Sequence, residues 1–178
     1  HQNRHKLDLQ VEEKGIDGPV TRVDRYLEQL AIDTLRKSYK NHSFLGEEFG
    51  LQEGKGHDAD WCWVIDPLDG TLNFINGFPH FCISIAVQHK GVTQHGVIYD
   101  PVKDELFSAS RGRGAMMNQR RIRVNIKDSL ENTFLSVGHA YRAKRNGEIV
   151  SYAKNHFESL LAVTEQGAQY RRSGSAAL

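Results

Sequence analysis

The chain has 178 residues, 39% of them apolar and 25% charged, with a formal net charge of +1. That length supports one good core, or one domain and part of another, and the near-neutral balance gives no global pull toward nucleic acid or acidic partners. No apolar run approaches the roughly 18 residues of a membrane span and no signal peptide opens the chain, so a membrane partner is not expected. The two cysteines, Cys62 and Cys82, fall inside predicted buried strands. They read as reduced core residues of a cytoplasmic protein rather than as a disulfide or zinc framework.

Polar residues 1–13 with scattered Leu7, Leu9 and Val11 make an extended entry, and Lys14–Pro19 is a loop by composition. Val23, Leu27, Leu30, Ala31 and Leu35 recur at helical spacing, which predicts a helix from Thr21 to about Tyr39. Thr21 and Asp24 fit a capping box at its start. Ser43 to Gly50 reads as a short strand ending in the acidic pair Glu47-Glu48, and Gly54 to Asp60 as a polar, flexible connection.

Trp61 to Ile65 is an aromatic and β-branched run, the composition of a buried strand. It is expected to break at Asp66-Pro67, because proline lacks an N–H and excludes helical space for the residue before it. Asp69, Gly70 and Thr71 follow directly. Two acids three residues apart at a strand end make half of a metal site, and Gly70 lets backbone approach a ligand closely. Asp-Pro-Leu-Asp-Gly is equally ordinary turn chemistry, and local sequence leaves both readings open.

Asn76–Pro79 is a turn. Phe81–Val87 and Thr93–Tyr99 form a hairpin about Lys90-Gly91, Glu105–Ser110 is a further strand, and a last strand is expected around Ile122–Val124. Strands joined by short turns indicate an antiparallel sheet, and with the long helix before them the class is α+β. The pattern changes beyond Asp128, placing a domain boundary between residues 1–128 and 129–178. In the second part Thr133–Val137 reads as a strand and Glu148–Leu161 as a helix. Gln169–Leu178 reads as a strand turning into a helix whose small first residues suit either an anion or close packing.

Asp24, Glu47/Glu48 and Asp66/Asp69 all sit at element ends. Two unit charges about 4 Å apart repel by roughly 4 kcal/mol at an effective dielectric of 20, so converging carboxylates take up protons or hold cations. All-oxygen ligands suit Mg²⁺, Mn²⁺ or Ca²⁺ better than zinc.

The segments Val20–Asp24, Gly46-Glu47-Glu48, Trp63–Phe74 and Arg171–Ala177 resemble, in content and order, the motifs of the inositol monophosphatase family. The resemblance implies a layered αβαβα sandwich of the sugar-phosphatase type and Mg²⁺-dependent, lithium-sensitive hydrolysis of a phosphomonoester, myo-inositol monophosphate first among substrates. It implies that Glu47, Asp66 and the Leu68 carbonyl hold one Mg²⁺, that Asp66 and Asp69 share a second, and that Asp24 and Thr71 orient the attacking water. Gly70 and Thr71 N–H groups would hold the phosphate, while Gly174, Ser175 and Ala176 would line the alcohol. Lys14 lies near the family's loop lysine, Leu72 stands where many members have threonine, and a homodimer is implied. The family continues past Gly-Ser-Ala-Ala into a Trp-Asp-x-Ala motif with a further ligand, so the sequence is expected to be part of a longer phosphatase and inactive by itself.

Two alternatives accompany this reading. One is a related phosphatase acting on a nucleotide 3′-phosphate, fructose-1,6-bisphosphate or histidinol phosphate. The other is a nucleic-acid or protein partner for the arginines Arg111, Arg113, Arg120, Arg121 and Arg123, which otherwise read as a charged, aggregation-resistant sheet edge.

Overall fold

The structure, a computed structural model, describes residues 11–13, 19–126, 128–138, 142–145 and 148–178; Lys14 lies outside them. Strands β1 (Glu12–Glu13) and β2 (Pro19–Val20) pair antiparallel and lead into helix α1 (Arg22–Ser38). The capping box forms: Thr21 Oγ1 accepts from the Val23 and Asp24 N–H groups while the Asp24 carboxylate accepts from Thr21 N. The buried line of α1 differs from the expected apolar stripe. It is Asp24, Glu28 and Ile32, with Val23, Leu27, Ala31 and Leu35 half-buried beside it and Leu30 exposed.

An eight-stranded sheet follows, built from β3 (Ser43–Gly46), β4 (Gly50–Gln52), β5 (Trp61–Asp69), β6 (Cys82–His89), β7 (Val92–Asp100), β8 (Glu105–Ser110), β9 (Gly114–Met117) and β10 (Arg120–Ile122). Its order is β10-β9-β8-β7-β6-β5-β3-β4. Every pairing is antiparallel except β3 with β5, which is parallel. The single strand expected over 43–50 is thus a hairpin whose tip carries Glu47 and Glu48. The connection expected to be flexible closes with a 3-10 turn over Gly56–Asp60. Lys90 and Gly91 both have positive φ, as a tight two-residue hairpin turn requires. Asn118 and Gln119 do the same between β9 and β10, a turn and a strand the composition did not announce.

β5 does not break at Asp66-Pro67 but runs on to Asp69. Its register shifts there, since Asp66 faces Ser84 and Asp69 faces Cys82, three steps on one strand against two on its neighbour. The bulge takes Pro67 out of the ladder, which accommodates its missing N–H without ending the strand. Helix α1 packs on one face of this sheet through Ile32, which with Phe44 and Ile65 is fully buried and flanked by Leu35, Trp63 and Ile85.

Beyond the sheet, β11 (Phe134–Ser136) pairs parallel with β14 (Gln169–Arg171), and β12 (Arg142–Arg145) pairs antiparallel with β13 (Glu148–Ser151). Helix α3 spans Ala153–Glu165, so the helix expected from Glu148 starts five residues later. The extended backbone of Glu148–Ser151 is fixed by its partner strand, which outweighs a local helical pattern. Among the described residues no helix is long and apolar enough to cross a membrane.

Candidate phosphatase site

The end of β5 gathers the acids that the sequence singles out. Gly70, at φ +94°, turns the chain from β5 into the short helix α2 (Thr71–Ile75). A Cβ there would meet the His80 carbonyl oxygen at 2.9 Å, so conformation and space both call for glycine.

Asp24 arrives from the first turn of α1 and is 3% exposed. One carboxylate oxygen accepts from Thr21 N at 2.8 Å and from Thr21 Oγ1; the other accepts from Thr71 Oγ1 at 3.0 Å. Asp24 therefore closes the helix cap with one oxygen and reaches Thr71, at the end of β5, with the other. Thr71 Oγ1 also lies 3.0 Å from the Leu68 carbonyl. One hydroxyl proton faces two acceptors, so the Thr71 proton has two places to go.

Glu47 sits at the hairpin tip, where its backbone N–H donates to the Ile65 carbonyl of β5 at 3.3 Å. Its side chain hydrogen-bonds to that of Asp66. Burial, then the charges of Asp69 and Asp24, push the Asp66 carboxyl above its usual range, while the Leu68 N–H and Glu47 pull it partly back. Such a pair, beside a backbone carbonyl at Leu68, is an all-oxygen donor set that suits a hard cation.

Asp69 is engaged differently. It accepts from Ser175 Oγ, from Ala176 N at 3.0 Å and from Ala177 N at 2.6 Å. Asn73 on α2 donates to the carbonyls of His80 at 2.7 Å and Ser173 at 2.8 Å, and its side chain occupies the space a Cβ on Gly174 would need. Gly174, Ser175 and Ala176 are thus brought to the end of β5 by Asp69 and Asn73. With Asp69 so engaged, no three Asp, Glu, His or Cys side chains form a ready cation cage among the described residues. Glu47 thus meets Asp66 at the end of β5, while Asp69 is turned to the Ser175–Ala177 segment.

Sequence reasoning missed Cys82 as a neighbour of this site. Its fully buried thiol lies 3.6 Å from Asp69 Oδ2 and 4.0 Å from Ser175 Oγ. Burial and the Asp69 charge push it up to about 12, so it stays a neutral thiol and no nucleophile at neutral pH. A cavity of about 470 Å³ lined by Tyr39, His42, Trp61, Trp63 and Val97 lies away from the acids and contains no carboxylate.

Residues 2–178 match the inositol monophosphatase family. The protein called Nus factor SuhB of Pseudomonas aeruginosa is 48% identical over 174 residues, covering 97% of this chain and 63% of that protein. The extragenic suppressor protein SuhB of Bartonella henselae superposes with a TM-score of 0.83 at 37% identity, covering 95% of this chain and 63% of that one. The inositol monophosphatase of Thermotoga maritima gives 0.81 at 32% identity, covering 98% and 62%. The chain spans less than two thirds of the length of these relatives. With four motifs in order, an acid cluster at the end of β5 and a match along nearly its whole length, the chain belongs to the inositol monophosphatase family.

Proposed function

We propose that the protein to which this chain belongs hydrolyses a phosphomonoester, myo-inositol monophosphate foremost, with Mg²⁺. The observation that carries the reading is the meeting of two pairs, Glu47 with Asp66 and Asp24 with Thr71, around one turn at the end of β5. A related structure described as SaIMPase-II bound to inositol monophosphate, 28% identical with a TM-score of 0.68, supports the substrate class.

Glu47, Asp66 and the Leu68 carbonyl would hold the first cation, and Asp69 would complete a second site with Asp66 on leaving its donors at Ser175–Ala177. Mg²⁺ when bound neutralises phosphoryl oxygens and lowers the pKa of water. Asp24, immobilised by Thr21, and Thr71 position the attacking water; its proton passes to Thr71 Oγ1 as the Thr71 proton passes to Asp24 Oδ1. Glu47, beside Asp66, would help to orient that water. The Gly70 and Thr71 N–H groups bind the phosphate, and Gly174, Ser175 and Ala176 face the alcohol, with a homodimer as the working assembly. Phosphate release from a panel of phosphomonoesters, with Mg²⁺ and then lithium added, tests this. No turnover of any ester by the full-length protein with Mg²⁺ overturns it, and preference for a nucleotide, fructose or histidinol phosphate reassigns the substrate.

A second reading has its own observation. Arg111 and Arg113 in the β8–β9 turn, Arg120 and Arg121 on the edge strand β10, and Arg123 beyond it are all exposed. Among the described residues none of them is in an ion pair. Arg111 follows Ser110, which faces His95, whereas Asp69 is adjacent to Cys82 and the Tyr99 end of β7, so the turn arginines lie at the other end of the sheet from the acids. This supports a separate nucleic-acid contact, tested by salt-dependent RNA binding that charge reversal at Arg113 and Arg121 abolishes without loss of turnover.

A further inference from the structure

Glu28 stands one turn after Asp24 on α1 and is 0% exposed, a carboxylate in the middle of a helix's buried line. Such a group is costly unless its oxygens are satisfied. Both are: Oε2 accepts from Glu48 N at 2.8 Å and Oε1 from Phe49 N at 2.9 Å. These consecutive N–H groups belong to the tip of the β3–β4 hairpin, between paired Gly46 and Gly50. The preceding N–H, that of Glu47, is held by Ile65 of β5. Three successive amides of the tip are therefore spoken for, two by one side chain from α1.

Gly46 bears the same imprint. Its φ is not in the left-handed region, so its backbone does not demand glycine. A Cβ there would sit 1.8 Å from Glu28 Oε1, so its bareness makes room for that carboxylate. The side chain of Glu28 thus fills the space under the tip whose first residue, Glu47, reaches Asp66.

We infer that Glu28 is a positioning residue: it fixes the hairpin tip so that Glu47 meets Asp66, and it ties that cation-binding pair to the helix carrying Asp24. One helix then sets two arms of the site, Asp24 directly and Glu47 through Glu28. The inference rests on the reading of Glu47 and Asp66 as cation ligands, and its test separates the two.

In the full-length protein, Glu28→Gln keeps the shape but sets an amide NH₂ against backbone N–H donors, and Gly46→Ala keeps Glu28 but crowds it. Amide hydrogen exchange reads the tip directly, Mn²⁺ titration reads the cation site, and Asp66→Asn and Asp24→Asn serve as references. The expected result is faster exchange at Glu48 and Phe49 in both variants. Mn²⁺ affinity falls by about 10- to 100-fold, as for lost supports of metal ligands, and kcat recovers at saturating cation. Asp24→Asn, by contrast, lowers kcat and spares affinity. Unchanged exchange at the two amides overturns the proposal whatever the cation does. So does Mn²⁺ affinity kept in both variants but lost in Asp66→Asn. Affinity unchanged in Asp66→Asn itself defeats the cation-site reading instead, and the exchange result then decides whether Glu28 holds the tip. A variant that fails to fold is replaced by the other, since each perturbs the same contact from one side.

Discussion

Asp69 and Ala176 stand 107 positions apart in sequence and one 3.0 Å hydrogen bond apart in space. With Ser175 Oγ and Ala177 N also donating to Asp69, one carboxylate is what the Ser173–Leu178 segment closes upon. Oδ2 takes two of these donors and Oδ1 one, so a cation drawn to Asp69 competes with them. Mg²⁺ binding that recruits Asp69 is expected to loosen these donors, so hydrogen exchange at Ala176 and Ala177 should speed up with added Mg²⁺. Exchange at both amides that is unchanged or slower would place Asp69 outside the cation site.

Asp66 gives a pH dependence whose sign is fixed by its environment. Its folded-state pKa is raised, by burial first and then by Asp69, so the folded, metal-free protein binds that proton more tightly than the unfolded chain does. Ionisation of Asp66 therefore costs stability, and the cost disappears as pH falls from the raised value toward the ordinary carboxylate range. Asp66→Asn should flatten this slope, leave the metal-free protein as stable as wild type or more so at neutral pH, and abolish turnover. Cation affinity, needing the ionised acid, should fall over the same acid range. Urea melts across pH with and without Mg²⁺ check both; near-normal turnover in Asp66→Asn would remove it from the site.

Much of this site was legible because its signals are local. A capping box spans four residues and the Asp66–Thr71 run six, so local chemistry and motif order were enough to single out Asp24, Asp66, Gly70 and Thr71, which the fold brings together at the end of β5. Glu28 was not legible, because a glutamate on a helix reads as a solvated face until the acceptor it provides is matched to N–H groups 20 and 21 positions away. The Asp69–Ser175 contact, across 106 positions, leaves no periodic trace either. The helix expected from Glu148 erred for a related reason, since pairing with β12 decides those residues' conformation.

The core under the site is small, and Ile32 is its keystone: fully buried, on the helix that carries Asp24 and Glu28, and packed against Phe44 and Ile65. Ile32→Ala removes buried methyl groups where the surrounding strands can collapse little. A loss of about 3 kcal/mol in unfolding free energy is expected, read by denaturant midpoint at unchanged slope. A loss below about 1 kcal/mol, the scale of trimming a single methyl, would show that α1 is not anchored there.

Asp100 provides the opposite pH sign at the C-terminal end of β7. Burial pushes its carboxyl up, but the Lys103 ammonium at 2.8 Å and the N–H groups of Val102 and Lys103 outweigh burial and hold it below its ordinary range. A depressed folded pKa means stability that is present above the unfolded value and lost as pH falls through the folded one. Asp100 is fully buried, and the β7–β8 turn is built on its acceptors, so Asp100→Asn should cost roughly 1–3 kcal/mol at neutral pH. The penalty should shrink under acid, where wild type loses the same charge. Because Lys103 is half exposed, Lys103→Met should cost less than Asp100→Asn. Equal penalties for the two variants would mean that the ion pair, and not the turn's backbone donors, makes Asp100 matter.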